Sequence, residues 1–202
     1  MKSKFAALLA LLIPTLVILG CAQKMKVSRI EVDTITDLSG RWNDTDSRLV
    51  SEEMIKDCLN RPWLRNHVTE NNKKPVVIVG AIRNKSLEHI PTDTFIGDIE
   101  QAFVNSGQVE VVANVFERLD LRGEKDDQSE FSSLETQKRM REELGADYMM
   151  TGLINSIEDK EGGEKIVFYQ VDLTLINVET NAKVWIGQKK IKKYIARGRY
   201  EP

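Results

Sequence analysis

Lys74-Pro75-Val76-Val77-Ile78-Val79-Gly80 is the stretch on which the fold turns. Four β-branched residues in unbroken succession leave no polar face. A strand built from them is central and buried on both sides. Pro75 and Gly80 bound it. Upstream, Asn43-Asp44-Thr45-Asp46 offers capping side chains. Leu49, Val50, Met54, Ile55, Cys58 and Leu59 follow at helical spacing, which puts Cys58 on an apolar face. Pro62 ends that helix or starts a new turn, with Trp63 and Leu64 covering the edge of the core.

Downstream, Pro91 to Gly107 reads as a helix. Phe95, Ile96, Ile99, Ala102 and Phe103 make its stripe and Gly107 its C-cap. Val109 to Val115 reads as a strand, and Asp120 to Glu130 as a charged loop poor in apolar residues. Ser132-Ser133-Leu134-Glu135 resembles a capping box for a helix running to Leu144. Asp147 to Ile157 is a further strand, and Glu158 to Lys165, with Gly162-Gly163, a turn. Val167, Tyr169, Val171, Leu173 and Leu175 alternate with more polar neighbours, the mark of a strand with one buried face. Glu179-Thr180-Asn181 turns the chain into a last strand from Lys183 to about Ile195. The fold class expected is α/β (α+β): a single domain with a mixed β-sheet packed against helices and closed by a C-terminal antiparallel hairpin.

The chain has 202 residues, 30% of them charged, with a formal net charge of −2. That balance gives no footprint for nucleic acid. Residues 1–20 combine Lys2 and Lys4, an apolar run from Phe5 to Leu19, and a small residue before Cys21. This is the order of a bacterial secretion signal, too short and wrongly flanked for a membrane span. Ile18-Leu19-Gly20-Cys21 resembles a lipobox, the motif of lipoprotein signal peptidase. Cys21 is therefore the expected lipidation site and membrane anchor. Residues 21–33 form a short polar tether, of which about twelve residues stretch to about 40 Å. The globular domain then spans 34–202. Cys58 has no other cysteine to pair with, so it reads as a buried thiol.

The chemistry of catalysis is sparse. His67 and His89 lie in no metal-ligand pattern. No nucleophile elbow, Ser-x-x-Lys, P-loop or dinucleotide fingerprint occurs. A calcium loop starting at Asp44 would place Arg48 where an oxygen ligand is needed. Glu52-Glu53 and Glu142-Glu143 read as solvated helix faces rather than acid–base pairs. No catalytic residue, metal site or cofactor is expected. Lys183, Lys189, Lys190, Lys192, Lys193, Arg197 and Arg199 crowd the C-terminus. They read either as a docking face for an acidic domain or anionic polymer, or as the lysines that protect an edge strand. Trp42, beside Arg41 in a polar loop, reads either as a docking anchor or as a lid over the core.

Several of these stretches share a family resemblance. Asp37-Leu-Ser-Gly-Arg-Trp-Asn-Asp-Thr-Asp-Ser-Arg48 resembles the opening signature of the LpoB family, lipoprotein activators of penicillin-binding proteins. Leu59-Asn-Arg-Pro-Trp-Leu64 is similar to that family's end of the first helix. Leu144-Gly-Ala-Asp-Tyr-Met-Met-Thr-Gly152 resembles an element shared with TolB N-terminal and CsgG-type domains. Asn177-Val-Glu-Thr-Asn-Ala-Lys-Val-Trp185 and Lys189-Lys-Ile-Lys-Lys193 are similar to the family's closing hairpin. The resemblance runs from Asp37 to Lys193. It implies a TolB N-terminal-like fold and a non-enzymatic outer-membrane lipoprotein. Such a protein binds a bifunctional (class A) penicillin-binding protein and regulates peptidoglycan synthesis. Ala22 after the lipidation site is compatible with outer-membrane sorting. Trp42, Arg41, Lys190 and Lys192 are the candidate partner-binding residues. The alternative is a structural or secretion-associated envelope lipoprotein of the CsgG/TolB-like kind that acts by oligomerisation. The short, lysine-rich hairpin argues against a pore. Well-known family members carry a long linker where this chain has about a dozen residues.

Overall fold

The computed structural model describes residues 27–31, 34–129 and 145–196. The signal segment, Cys21, most of the tether, the helix expected over 132–144, Glu142, Glu143, Arg197 and Arg199 lie outside the described residues. The chain divides into two units, 1–34 and 35–202. In the first, the described residues have no regular structure, and the Thr34 amide donates to the Glu31 carbonyl at 3.1 Å. All that follows concerns the second.

Its described elements are α1 (Asp44–Leu59), α2 (Pro62–Asn71), β1 (Val76–Asn84), α3 (Thr92–Ser106), β2 (Glu110–Val111), α4 (Val115–Ser129), β3 (Tyr148–Glu161), β4 (Glu164–Asn177) and β5 (Lys183–Ala196). The strands form one mixed sheet in the order β2-β1-β3-β4-β5. β1 runs parallel to β2 and β3. β3, β4 and β5 are antiparallel neighbours. The expected mixed sheet packed against helices is therefore what forms.

Local chemistry explains the boundaries. Asn43 caps α1 in a capping box: its side chain accepts the Asp46 amide at 3.0 Å, and Asp46 accepts the Asn43 amide at 3.0 Å. Pro62 starts α2 at a position that needs no amide donor. Gly107, at φ +64°, ends α3 in the left-handed conformation.

Val76, Val77, Ile78 and Val79 are all buried, as their composition requires. β1 does not stop at Gly80. It runs on to Asn84 through an irregularity between Val79 and Ile82, where Gly80 and Ala81 take up the distortion.

Three expectations need correction. The strand read over Val109 to Val115 is only Glu110–Val111, and Val115 opens a helix. The charged loop from Asp120 is part of that helix, α4. Both errors share one cause, a second capping box. The Asn114 side chain accepts the Phe116 amide at 2.9 Å, and Glu117 accepts the Asn114 amide at 2.8 Å. Third, the turn read over Glu158 to Lys165 is only Gly162-Gly163. Their φ values of +56° and +92° make a two-residue hairpin loop that lets β3 and β4 pair to their tips. The closing unit is thus a three-stranded meander, longer by one hairpin than expected.

The core lies between the helices and one face of the sheet. Val167, Tyr169, Val171, Leu173 and Leu175 all point into it and are buried. They meet Phe95, Ile99 and Phe103 of α3 and Val50, Met54, Ile55 and Cys58 of α1 within one cluster.

Cys58 is fully buried, and burial pushes its thiol up to about 12. The thiolate that labelling reagents need is therefore scarce in the folded protein. Native Cys58 is expected to label slowly, and quickly in denaturant. Cys58→Ser is expected to cost about 1–3 kcal/mol, because a hydroxyl must be buried among apolar atoms. Labelling kinetics and a thermal melt check both, and fast native labelling would show that α1 presents a different face.

Candidate functional site

β5 alternates, and the alternation sorts its lysines into two kinds. Trp185, Gly187, Lys189, Ile191, Lys193 and Ile195 face the helices. Ile186, Gln188, Lys190, Lys192 and Tyr194 face the other way.

The helix-side lysines are committed. Lys189 pairs with Glu53 of α1. Lys193 sits with its side chain only 9% exposed, 2.6 Å from Asp37, 2.6 Å from Asp46 and 3.1 Å from the Arg41 carbonyl. Burial opposes the charge on Lys193, but its hydrogen bonds to Asp37 and Asp46 outweigh that, and its pKa lies above the ordinary lysine value. The two carboxylates respond in opposite directions. Burial raises Asp46, whereas the lysine hydrogen bond lowers the half-exposed Asp37. Asp46 is the buried partner and the one whose charge depends on Lys193. The triad ties three separate pieces of chain together: the segment 37–41, the start of α1, and β5.

Trp42 sits beside this triad. It is half-buried, edge-on to Phe95 at 6.0 Å and to Tyr169 at 5.7 Å, and its amide donates to Glu88 at 3.2 Å. The indole is a lid on the core. Arg41 is exposed next to it. Trp185 is buried, and its indole N–H donates to Asp57 of α1 at 2.9 Å.

The outward lysines differ. Lys190 and Lys192 are exposed, and neither has an acidic partner among the described residues. Ile186 and Tyr194 flank them, 65% and 61% exposed. The structure therefore brings Lys190 and Lys192 together on one face. Arg41 and Trp42 stand by Lys193, on the helix side of the same strand.

Elsewhere, His67 is buried with Nδ1 3.1 Å from the Tyr148 hydroxyl, and His89 is exposed. Among the described residues no three His, Cys, Asp or Glu side chains converge as metal ligands. Glu52 and Glu53 lie on the solvated side of α1, bonded to Arg48 and Lys189. Lys190 and Lys192, the candidates named from sequence, are the two without an acidic partner among the described residues, although composition alone gives no reason to prefer them to Lys189 and Lys193. Their period-two spacing about Trp185 was the available signal.

A family model described as peptidoglycan-synthase activator LpoB matches residues 46–191. No curated protein matches the sequence. Among solved structures, the LpoB C-terminal domain from Salmonella enterica is similar at 14% identity and a TM-score of 0.42, covering 73% of this chain and 99% of that one. The NMR structure of E. coli LpoB is similar at 13% identity and 0.41, covering 86% and 87%. Lipoprotein GNA1162 from Neisseria meningitidis is similar at 11% identity and 0.39, covering 62% and 88%.

Proposed function

The chain belongs to the LpoB family of peptidoglycan-synthase activators, and from that premise we propose that it is a lipid-anchored, non-enzymatic activator of a bifunctional penicillin-binding protein. Acylation at Cys21 holds it to the periplasmic face of the outer membrane. The family match over residues 46–191 carries the reading. It takes in the whole sheet except the end of β5. No described helix is long and apolar enough to cross a membrane.

The docking face is the outward side of β5, with Lys190 and Lys192 as the positive rim; Arg41 and Trp42 lie across the edge of the same strand, on its helix side. Two surface lysines with no acidic partner among the described residues steer an acidic surface into register and set the association rate. Docking stimulates the synthase only through a higher affinity for its active state. The tether of about 40 Å at most requires a synthase that reaches toward the anchored membrane.

The test is reconstitution of the full chain, in detergent, with each bifunctional synthase of the organism. Glycan polymerisation or crosslinking is expected to speed up severalfold. Lys190→Glu with Lys192→Glu is expected to slow association about tenfold at low salt, with the difference shrinking as salt rises. If no bifunctional synthase binds or responds, the activator reading is wrong.

A further inference from the structure

β5 is an edge strand of 14 residues, while the opposite edge, β2, has two. Every second residue of β5 turns its N–H and C=O away from β4. Among the described residues no other backbone segment bonds to that side. β5 contains no proline, so each of those amides is a donor. An edge of this length is a template for another strand unless something blocks it.

The lysines are the block, and it is selective. Lys189, Lys190, Lys192 and Lys193 occupy four of five consecutive positions. Pair β5 antiparallel with a second copy, with the two-fold at residue 190, 191 or 192, so that Lys190 and Lys192 meet themselves or each other. In every such register at least one lysine stands opposite a lysine. In-register parallel pairing stacks all of them. Like charges directly opposite destabilise a strand pair. Self-addition is therefore disfavoured. An acidic strand meets the reverse situation, because Lys189 and Lys193 already have carboxylates and Lys190 and Lys192 have none among the described residues.

We propose that β5 is a strand-addition site that accepts an extended acidic segment of a partner protein. That segment would bond to the free backbone edge and set alternate carboxylates beside Lys190 and Lys192. Main-chain bonds supply the affinity and the lysine pair the selection. This specifies how the partner docks. It rests on the activator reading for the partner's identity and not for the chemistry.

The experiment uses the full chain in detergent and an acetylated peptide of about eight residues alternating valine and glutamate. Deuterium exchange across residues 183–196 is expected to slow about tenfold when that peptide binds. The valine–lysine counterpart is expected to give no protection. Lys190→Glu with Lys192→Glu is expected to reverse this preference. N-methylation of alternate peptide amides in one of the two phases is expected to abolish protection, and in the other to leave it. Equal binding of the two N-methylated peptides, or binding without protection of 183–196, overturns strand addition. A synthase that is stimulated while 183–196 stays unprotected sinks strand addition and spares the activator reading. Protection by the peptide when no synthase responds does the opposite.

Discussion

Lys193→Met is expected to destabilise the folded protein by about 3 kcal/mol, the largest effect of any single charge change among the described residues. The variant keeps the length and apolar stem of the side chain and removes only the ammonium. Asp46, 9% exposed at its side chain, then stays buried without its cation. Stripping one partner from a buried pair costs about 3–5 kcal/mol, because the remaining charge is left uncompensated. In a domain of this size that lowers the melting temperature by about 6–12 °C. Asp37 contributes little, since it is half-exposed and water can solvate it.

Two controls identify the cause. Adding Asp46→Asn to Lys193→Met is expected to restore most of the loss, because the orphaned charge goes with it while an amide oxygen can still accept the Asn43 amide. The gap between wild type and variant is also pH-dependent. Lys193 has a raised pKa in the folded state. Its contribution is thus fully present below the ordinary lysine value and disappears as pH rises through the raised one. At the acid end, the raised pKa of Asp46 means that its carboxyl neutralises early, and the variant's penalty shrinks there too. The gap is widest between those two limits. A double mutant no better than Lys193→Met, or a gap that ignores pH, would show that Lys193 acts through packing alone.

The parts of this architecture that the sequence displayed are those set by neighbours along the chain. The run Val76 to Val79 is apolar whatever lies beside it, and it is buried on both faces. The alternation from Val167 to Leu175 needs only the period of a strand, and all five inward residues are buried. The face of Val50, Met54 and Cys58 needs only the period of a helix. Asn114 to Glu117 is equally local, yet its signal competes with that of its neighbours. The short valine-rich stretch from Val109 favours a strand, while the capping pair that decides the matter is a polar residue and a carboxylate three positions apart.

The lysines of β5 fall in a different class. Lys189 to Lys193 look alike as letters. What separates Lys193 from Lys192 is Asp37 and Asp46, which lie far away in sequence and meet it only once α1 packs on the sheet. Trp42 is similar. Its loop is polar, but Phe95 and Tyr169 come from α3 and β4 to bury one side of its ring. The sequence names Lys190 and Lys192 as candidates, but the reason that they stay exposed while Lys189 and Lys193 do not lies in contacts distant along the chain.

Gly152→Ala is expected to cost about 3 kcal/mol, although it adds one methyl group to a residue chemically close to glycine. Gly152 lies on the helix side of β3, between Ile82 of β1 and Leu173 of β4. A Cβ there would stand 2.5 Å from the Asp172 carbonyl oxygen and 2.5 Å from Cδ2 of Leu173. The first is backbone held by the β3–β4 ladder. The second is the tip of a fully buried side chain in the core cluster. Leu173 can lie across β3 only because that position is bare. Room for the methyl needs either a shift of the β4 backbone or a new rotamer for Leu173 in a packed core, and overpacking of this kind costs about 1–3 kcal/mol or more. Gly97→Ala is the control. It is in the interior of α3 with nothing within 4 Å of its Cβ position, so alanine there is expected to stabilise by about 0.5–1 kcal/mol. Thermal melts of the two variants should move in opposite directions. A second-site Leu173→Val, added to Gly152→Ala, is expected to recover part of the loss by withdrawing the Cδ2 atom. An unchanged melt for Gly152→Ala would mean that Leu173 does not cross β3, and that the β3–β4 register is not the one described.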